Sequence, residues 1–212
     1  MQSPKSWSNV TFSQFLDLGS LNKTDYPNLT DYNIDMLSII CDVEIEEIEN
    51  LAYSDFLTLE KSLKWTAQPP KSYNENLVNF NSISLGQFID VEHFISDINE
   101  VPNVTSVLLG RIPIDEVLKM RCDEVVNIIP AYLLFREQIL KSYPNIFAPQ
   151  FENAEDTSEY TDEDFKEIED EKKASSHSWE KFILSCCNDD MTKFDAVTDM
   201  NLILVFNLYS AR

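Results

Sequence analysis

Apolar residues recur along this chain at helical spacing, and its first such run is repeated further on. Val10-Thr11-Phe12-Ser13-Gln14-Phe15-Leu16-Asp17-Leu18 returns in kind as Ile83-Ser84-Leu85-Gly86-Gln87-Phe88-Ile89-Asp90-Val91. Gln, Phe and Asp are identical in the two copies, and most other pairs conserve size or chemistry. Each copy reads as a helix start. Thr11 and Ser84 are good N-caps, because a hydroxyl accepts from an otherwise unpaired amide of the first turn. Gln14 and Gln87 stand three residues on, where a side chain reaches back to complete a capping box. Val10 with Phe15, and Ile83 with Phe88, have the spacing of a hydrophobic staple. The same grammar recurs more weakly at Tyr160-Thr161-Asp162-Glu163-Asp164-Phe165 and at Val197-Thr198-Asp199-Met200-Asn201-Leu202.

Further elements follow from the same period. Ile34, Leu37, Ile40 and Cys41 share one helical face, and Ile45, Ile48 and Leu51 make a short second one. Phe56, Leu59 and Leu63 make a third, with Ser54 as its expected cap. Pro69-Pro70 stops helix formation, since proline lacks the amide and restricts the residue before it. A helix then carries Phe88, Val91, Phe94 and Ile98, and a short one ends at Gly110. Pro113 suits a helix start. Val117, Met120 and Val125 continue the apolar face to Ile128-Ile129, where Pro130 is expected to kink or divide it. Tyr132, Phe135, Ile139 and Tyr143 take the period onward. At the C-terminal end, Trp179, Phe182, Ile183 and Cys186 face one way, and Leu202, Val205, Phe206 and Tyr209 form a closing helix, with a polar connection between.

The pattern therefore predicts an all-α fold of small helical units, the two capped ones being candidates for duplication. The expected division is an N-terminal helical unit over 1–68, a linker over 69–81, a second helical unit over 82–149, an acidic linker over 150–176 and a C-terminal helical hairpin over 177–212. A hairpin of that size buries little by itself and is expected to pack on the body or on another protein.

Charge narrows the choice of partner. The 212 residues carry 16 Lys and Arg against 37 Asp and Glu, a formal charge of −21. Phosphate contacts need cations, so direct nucleic-acid binding is not expected, nor is docking on an anionic membrane. Eleven of the twenty residues in 152–171 are acidic, the composition of a solvated linker. No run of about 18 apolar residues reads as a membrane span, and the first residues lack the apolar core of a signal peptide. A cytosolic setting is expected.

Candidate chemistry is sparse. Cys41, Cys122, Cys186 and Cys187 match no zinc spacing and read as buried, reduced thiols. His93 and His177 have no third metal-type neighbour in sequence, and Asp189-Asp190 reads as a solvated loop. The chain contains no glycine-rich phosphate loop, no Gly-x-Ser-x-Gly and no His-Glu-x-x-His. No catalytic, cofactor-binding or metal-ligating residue is assigned, and an enzyme is not expected. Helical faces rich in aromatics on an acidic chain suit docking to another protein.

Several stretches resemble the small acidic tail assembly chaperone-like proteins of tailed bacteriophages: SWSNVTFSQFLDL, DMLSIICDVEIEEIENLAYSDFLTLEKSLKW, SISLGQFIDVEHFI and SWEKFILSCCNDDMTKFDAVTDMNLILVFNLY. The resemblance covers about two thirds of the chain, in pieces. Cys186-Cys187 and the long acidic insert depart from it. It implies an all-helical, non-enzymatic protein without cofactor, working in the host cytoplasm during tail or virion assembly by binding a phage structural protein of the tail or connector. A minor structural or cargo component of the virion is the alternative, and an acidic DNA-mimicking anti-host protein a third. For partner contacts, the expectation falls on Trp7, Phe12, Phe15, Phe88 and Trp179.

Overall fold

The computed structural model describes residues 3–70, 77–151 and 179–211. Among them the fold is all-α, with short 3-10 turns between helices and no strand. The acidic run 152–171 and His177 lie outside the described residues.

The chain divides into two compact units, neither of which is contiguous in sequence. The first joins Met1–Leu77 to Ile112–Ile129, and the second joins Val78–Arg111 to Pro130–Arg212. Residues 112–129, read above with the second helical unit, thus cluster with the first. Val78 is buried and Phe80–Ser82 form a 3-10 turn, so ordered structure resumes inside the expected linker.

In the first unit, α1 (Phe12–Ser20) and α2 (Leu29–Cys41) precede the short α3 (Ile45–Glu49) and α4 (Tyr53–Ser62), and α7 (Ile114–Lys119) and α8 (Cys122–Val125) complete it. Leu37, Ile40, Ile48 and Leu63 form its buried centre, against which Ile34, Phe56 and Trp65 pack. Helix α4 begins one residue before the expected cap, with Ala52 rather than Ser54 at the N-cap and no side-chain bond there.

The second unit holds α5 (Leu85–Phe94), α6 (Val101–Leu108), α9 (Ile128–Ser142) from Pro130 on, α10 (Pro144–Phe151), α11 (179–186), α12 (Phe194–Thr198) and α13 (Leu202–Ser210). The segment is divided just before Pro130: α8 ends at Val125, residues 126–127 form a turn, and α9 starts at Ile128. Pro130 occupies the first turn of α9, where its missing N–H has no helical acceptor to lose. The expected helix from Pro113 also breaks earlier, at Met120-Arg121, where the backbone is extended. The polar connection after Cys187 is folded too, into a 3-10 turn and α12.

The two capped helices are built alike. Thr11 and Ser84 both complete capping boxes, accepting from the amides of Gln14 and Gln87. The glutamine carbonyls accept in return from the cap amides, at 2.8 Å from Thr11 and 3.0 Å from Ser84. The glutamine amino groups are also used. Gln14 Nε2 donates to the Ile39 carbonyl at 2.8 Å, and Gln87 Nε2 to the Val107 carbonyl at 3.0 Å. Each of those carbonyls belongs to the last turn of the next helix and also accepts from the turn that follows, Ile39 from Asp42 and Val107 from Gly110.

Extended residues at the cap then meet a second extended segment. The Phe12 amide donates to Met120 and the Cys122 amide to Val10, at 2.8 and 2.9 Å. In the second unit the Leu85 amide donates to Met200 and the Leu202 amide to Ile83, at 2.9 and 3.0 Å. Each pair is a single antiparallel bridge, Thr11 opposite Arg121 and Ser84 opposite Asn201. The two copies are therefore alike in backbone pairing as well as in sequence. Gly86, which replaces the Ser13 of the first copy, faces α12: a Cβ there would meet the Thr198 carbonyl at 3.3 Å.

A turn of one type recurs after α2, α6 and α11. The amide of Val43 donates to Ser38, that of Arg111 to Ser106 and that of Asp189 to Leu184, each five residues back. Asp42, Gly110 and Asn188 take positive φ at these turns. This is the Schellman ending, and it redirects the chain into the next short helix. After the third turn, Asp190 accepts from the Thr192 hydroxyl at 2.6 Å and pairs with Lys193 at 2.9 Å.

Two outcomes are expected. Glu is normally as good as Gln in a capping box, but it cannot donate to Ile39 or Val107. Gln14→Glu and Gln87→Glu should each cost about 1–2 kcal/mol in urea unfolding, and the costs should add, since the sites lie in different units. The bonds from Thr192, then Lys193, hold the Asp190 carboxyl at about 2, below its ordinary 3.8. The folded-state value is depressed, so its contribution is complete above pH 4 and is lost as pH falls through about 2. A carboxyl titration by NMR should show this, and Asp190→Asn should remove it.

Candidate binding surface

The five expected contact residues divide between core and surface. Phe12 is 2% exposed and Phe88 0%, so both are core residues and the expectation that they touch a partner is corrected. Phe12 is turned inward by the bridge, its own amide being tied to Met120. Phe88 packs against Tyr132, Trp179 and Phe206. Trp179 is half-buried, closing this cluster over Phe147 and Phe182.

Trp7 and Phe15 are half-buried in the first unit, with ring centroids 5.5 Å apart. Trp65, which the sequence reading did not select, stands edge-on to Trp7 at 5.1 Å. Both indole N–H groups are spent on the backbone, Trp7 donating to Gln68 at 2.6 Å and Trp65 to Pro4 at 3.2 Å. The tryptophans line a hollow of about 280 Å³ together with Ser6, Ser8, Gln68, Pro69 and Asp123. Asp123 is held by a two-pronged pair with Arg121, at 2.7 and 3.1 Å. The hollow offers aromatic surface and carbonyl oxygen.

A polar network lies inside the second unit. Arg136 donates to Glu92 at 2.7 and 2.9 Å, and the Tyr132 hydroxyl donates to the same carboxylate at 2.9 Å. Tyr132 is fully buried, and burial followed by the Glu92 charge pushes its phenol pKa up. The network ties α5 to α9 through the Glu92 carboxylate.

The thiols tell the same story. Cys122 is buried, and burial pushes its thiol up to about 12; its Sγ lies 3.1 Å from the Trp7 carbonyl. Burial raises Cys41 as well. The thiolate is the nucleophile, so neither is activated for attack near neutral pH. Among the described residues, no group of three His, Cys, Asp or Glu side chains is placed to hold a metal ion. His93 is exposed on α5.

Open apolar surface lies elsewhere. On α13, Leu204 and Leu208 stand one turn apart and are 47% and 55% exposed. This helix contains no charged residue. A helix apolar on all sides exposes whatever its own fold does not cover, and the run Leu202-Ile203-Leu204-Val205-Phe206 carried that signal in the sequence. No described helix is long and apolar enough to cross a membrane.

No protein-family model, curated protein or solved structure matches the chain.

In native protein, Cys122 should resist a thiol reagent at pH 8 and label only on unfolding. Mass-spectrometric mapping of modified cysteines before and after addition of guanidinium checks this.

Proposed function

We propose that this chain is a non-enzymatic binding protein that engages a structural protein of a tailed phage, of the tail or connector, during assembly. The observation that carries the binding role is the uncharged, apolar outer face of α13, with Leu204 and Leu208 open on a chain of net charge −21. Charge keeps such a chain soluble and discourages random association. An exposed apolar helix face offers a local place for a partner to bury apolar surface. The satisfied Glu92 network and the raised Cys122 thiol support a scaffold rather than a reaction centre. The phage setting rests on the resemblance of the four stretches quoted above.

Quantitative mass spectrometry of infected-cell lysate against purified virions tests the role. The expected result is abundance in lysate, in complex with a tail or connector protein, and absence from virions. Fixed copy number in virions would make the chain a structural or cargo component, and recovery with host proteins alone would overturn the assembly role. Leu204→Glu with Leu208→Glu should weaken capture of the partner at least tenfold, equivalent to about 1.4 kcal/mol, with unchanged helicity by circular dichroism.

A further inference from the structure

The bridges that close the two units join segments of two kinds. One kind opens a capped helix: Val10–Phe12 and Ile83–Leu85. The other follows a short helix: Met120–Cys122 and Met200–Leu202. Each bridge pairs one of each.

A third segment of the second kind is present. Leu51-Ala52-Tyr53 follows α3 just as Met120-Arg121-Cys122 follows α7 and Met200-Asn201-Leu202 follows α12. In all three the first amide donates three residues back, to Ile48, Val117 and Val197, at 3.2, 3.1 and 3.1 Å. The middle residues share one backbone conformation: φ −60° and ψ 142° at Ala52, −66° and 133° at Arg121, −56° and 131° at Asn201. A helix starts at the third residue each time.

What differs is the partner. Cys122 and Leu202 are both 0% exposed, whereas Tyr53 is 76% exposed. Among the described residues no capped-helix segment lies opposite Leu51–Tyr53, and both such segments are already used elsewhere. The surroundings of this edge are acidic. Glu44, Glu46, Glu47, Glu49 and Asp55 are all exposed, and none forms an ion pair among the described residues.

We propose that Leu51–Tyr53 is a docking edge for another protein. Its occupant is a helix-opening segment of the pattern apolar–Ser/Thr–apolar, flanked by Lys or Arg. The two occupied bridges define the backbone pairing: the occupant's third amide donates to the Leu51 carbonyl, and the Tyr53 amide donates to the occupant's first carbonyl. The five carboxylates select for basic flanks. This deepens the binding role proposed above by naming what is bound.

The probe is a fluorescein-labelled peptide, Lys-Lys-Ser-Asn-Val-Thr-Phe-Ser-Gln-Phe-Leu-Lys-Lys, which copies the first capped-helix segment with basic ends. It is titrated with the full chain and followed by anisotropy. Tyr53→Pro is the deciding variant. It removes the bridging amide at the first position of α4, where proline suits a helix, and the preceding Ala52 is already extended. Circular dichroism verifies that α4 persists. Expected are saturable binding by the native chain, binding about tenfold weaker in Tyr53→Pro, and a similar loss in Glu47→Lys/Glu49→Lys. Absence of saturable binding, or equal binding by folded Tyr53→Pro, overturns the proposal. So does a native dimer that Tyr53→Pro converts to monomer, which would make the occupant a second copy. A chain that ignores the peptide yet still captures a phage structural protein loses this edge and keeps its binding role.

Discussion

The antiparallel pairing of two extended segments, each at the start of a helix, is the constraint from which the rest of this structure follows. A helix start leaves its first amides without internal acceptors. Here one such amide from each helix is given to the other's flanking carbonyl, so two orphan donors are satisfied at once. The alternation of an extended chain then turns the third side chain of each segment inward, which is why Phe12, Cys122, Leu85 and Leu202 are buried. The glutamine of the capping box extends the same economy to the last turn of the next helix.

The helical class, the two caps and the interruption at the paired prolines were legible in the chain. They depend on neighbours within four residues, and local chemistry dictates them: Thr11 with Gln14 and Ser84 with Gln87 behave as their spacing implies. The bridging segments were hidden because each is three residues long and its partner lies more than a hundred positions away. Met120-Arg121 shows the difficulty. Nothing in its composition breaks a helix, yet the backbone there is extended and pairs with Val10 and Phe12. Pro130 shows the reverse case, a strong local signal that falls in the first turn of a new helix, α9.

The aromatics were harder to assign, because a large apolar side chain serves a core and an interface equally well. Phe12 was drawn inward by its bridge and Phe88 by the aromatic cluster of the second unit, while Trp7 remained half-open with Trp65 beside it. The apolar outer face of α13 was visible in composition alone, since five consecutive apolar residues cannot all point one way on a helix. Tyr53 carried no such signal. Its exposure stands out only against Cys122 and Leu202, which hold the same place in related segments.

The interleaved order of the two units also bears on how the chain reaches its native state. Val10–Phe12 emerges from the ribosome long before Met120–Cys122, and Ile83–Leu85 long before Met200–Leu202. The first unit cannot close until Val78–Arg111 of the second has been synthesised, and the second closes only once Met200–Leu202 has emerged. Pairing at such separation makes folding slow and leaves half-built cores open meanwhile. A strongly acidic composition, whatever it contributes to recognition, also protects the growing polypeptide during that interval by mutual repulsion between unfinished molecules.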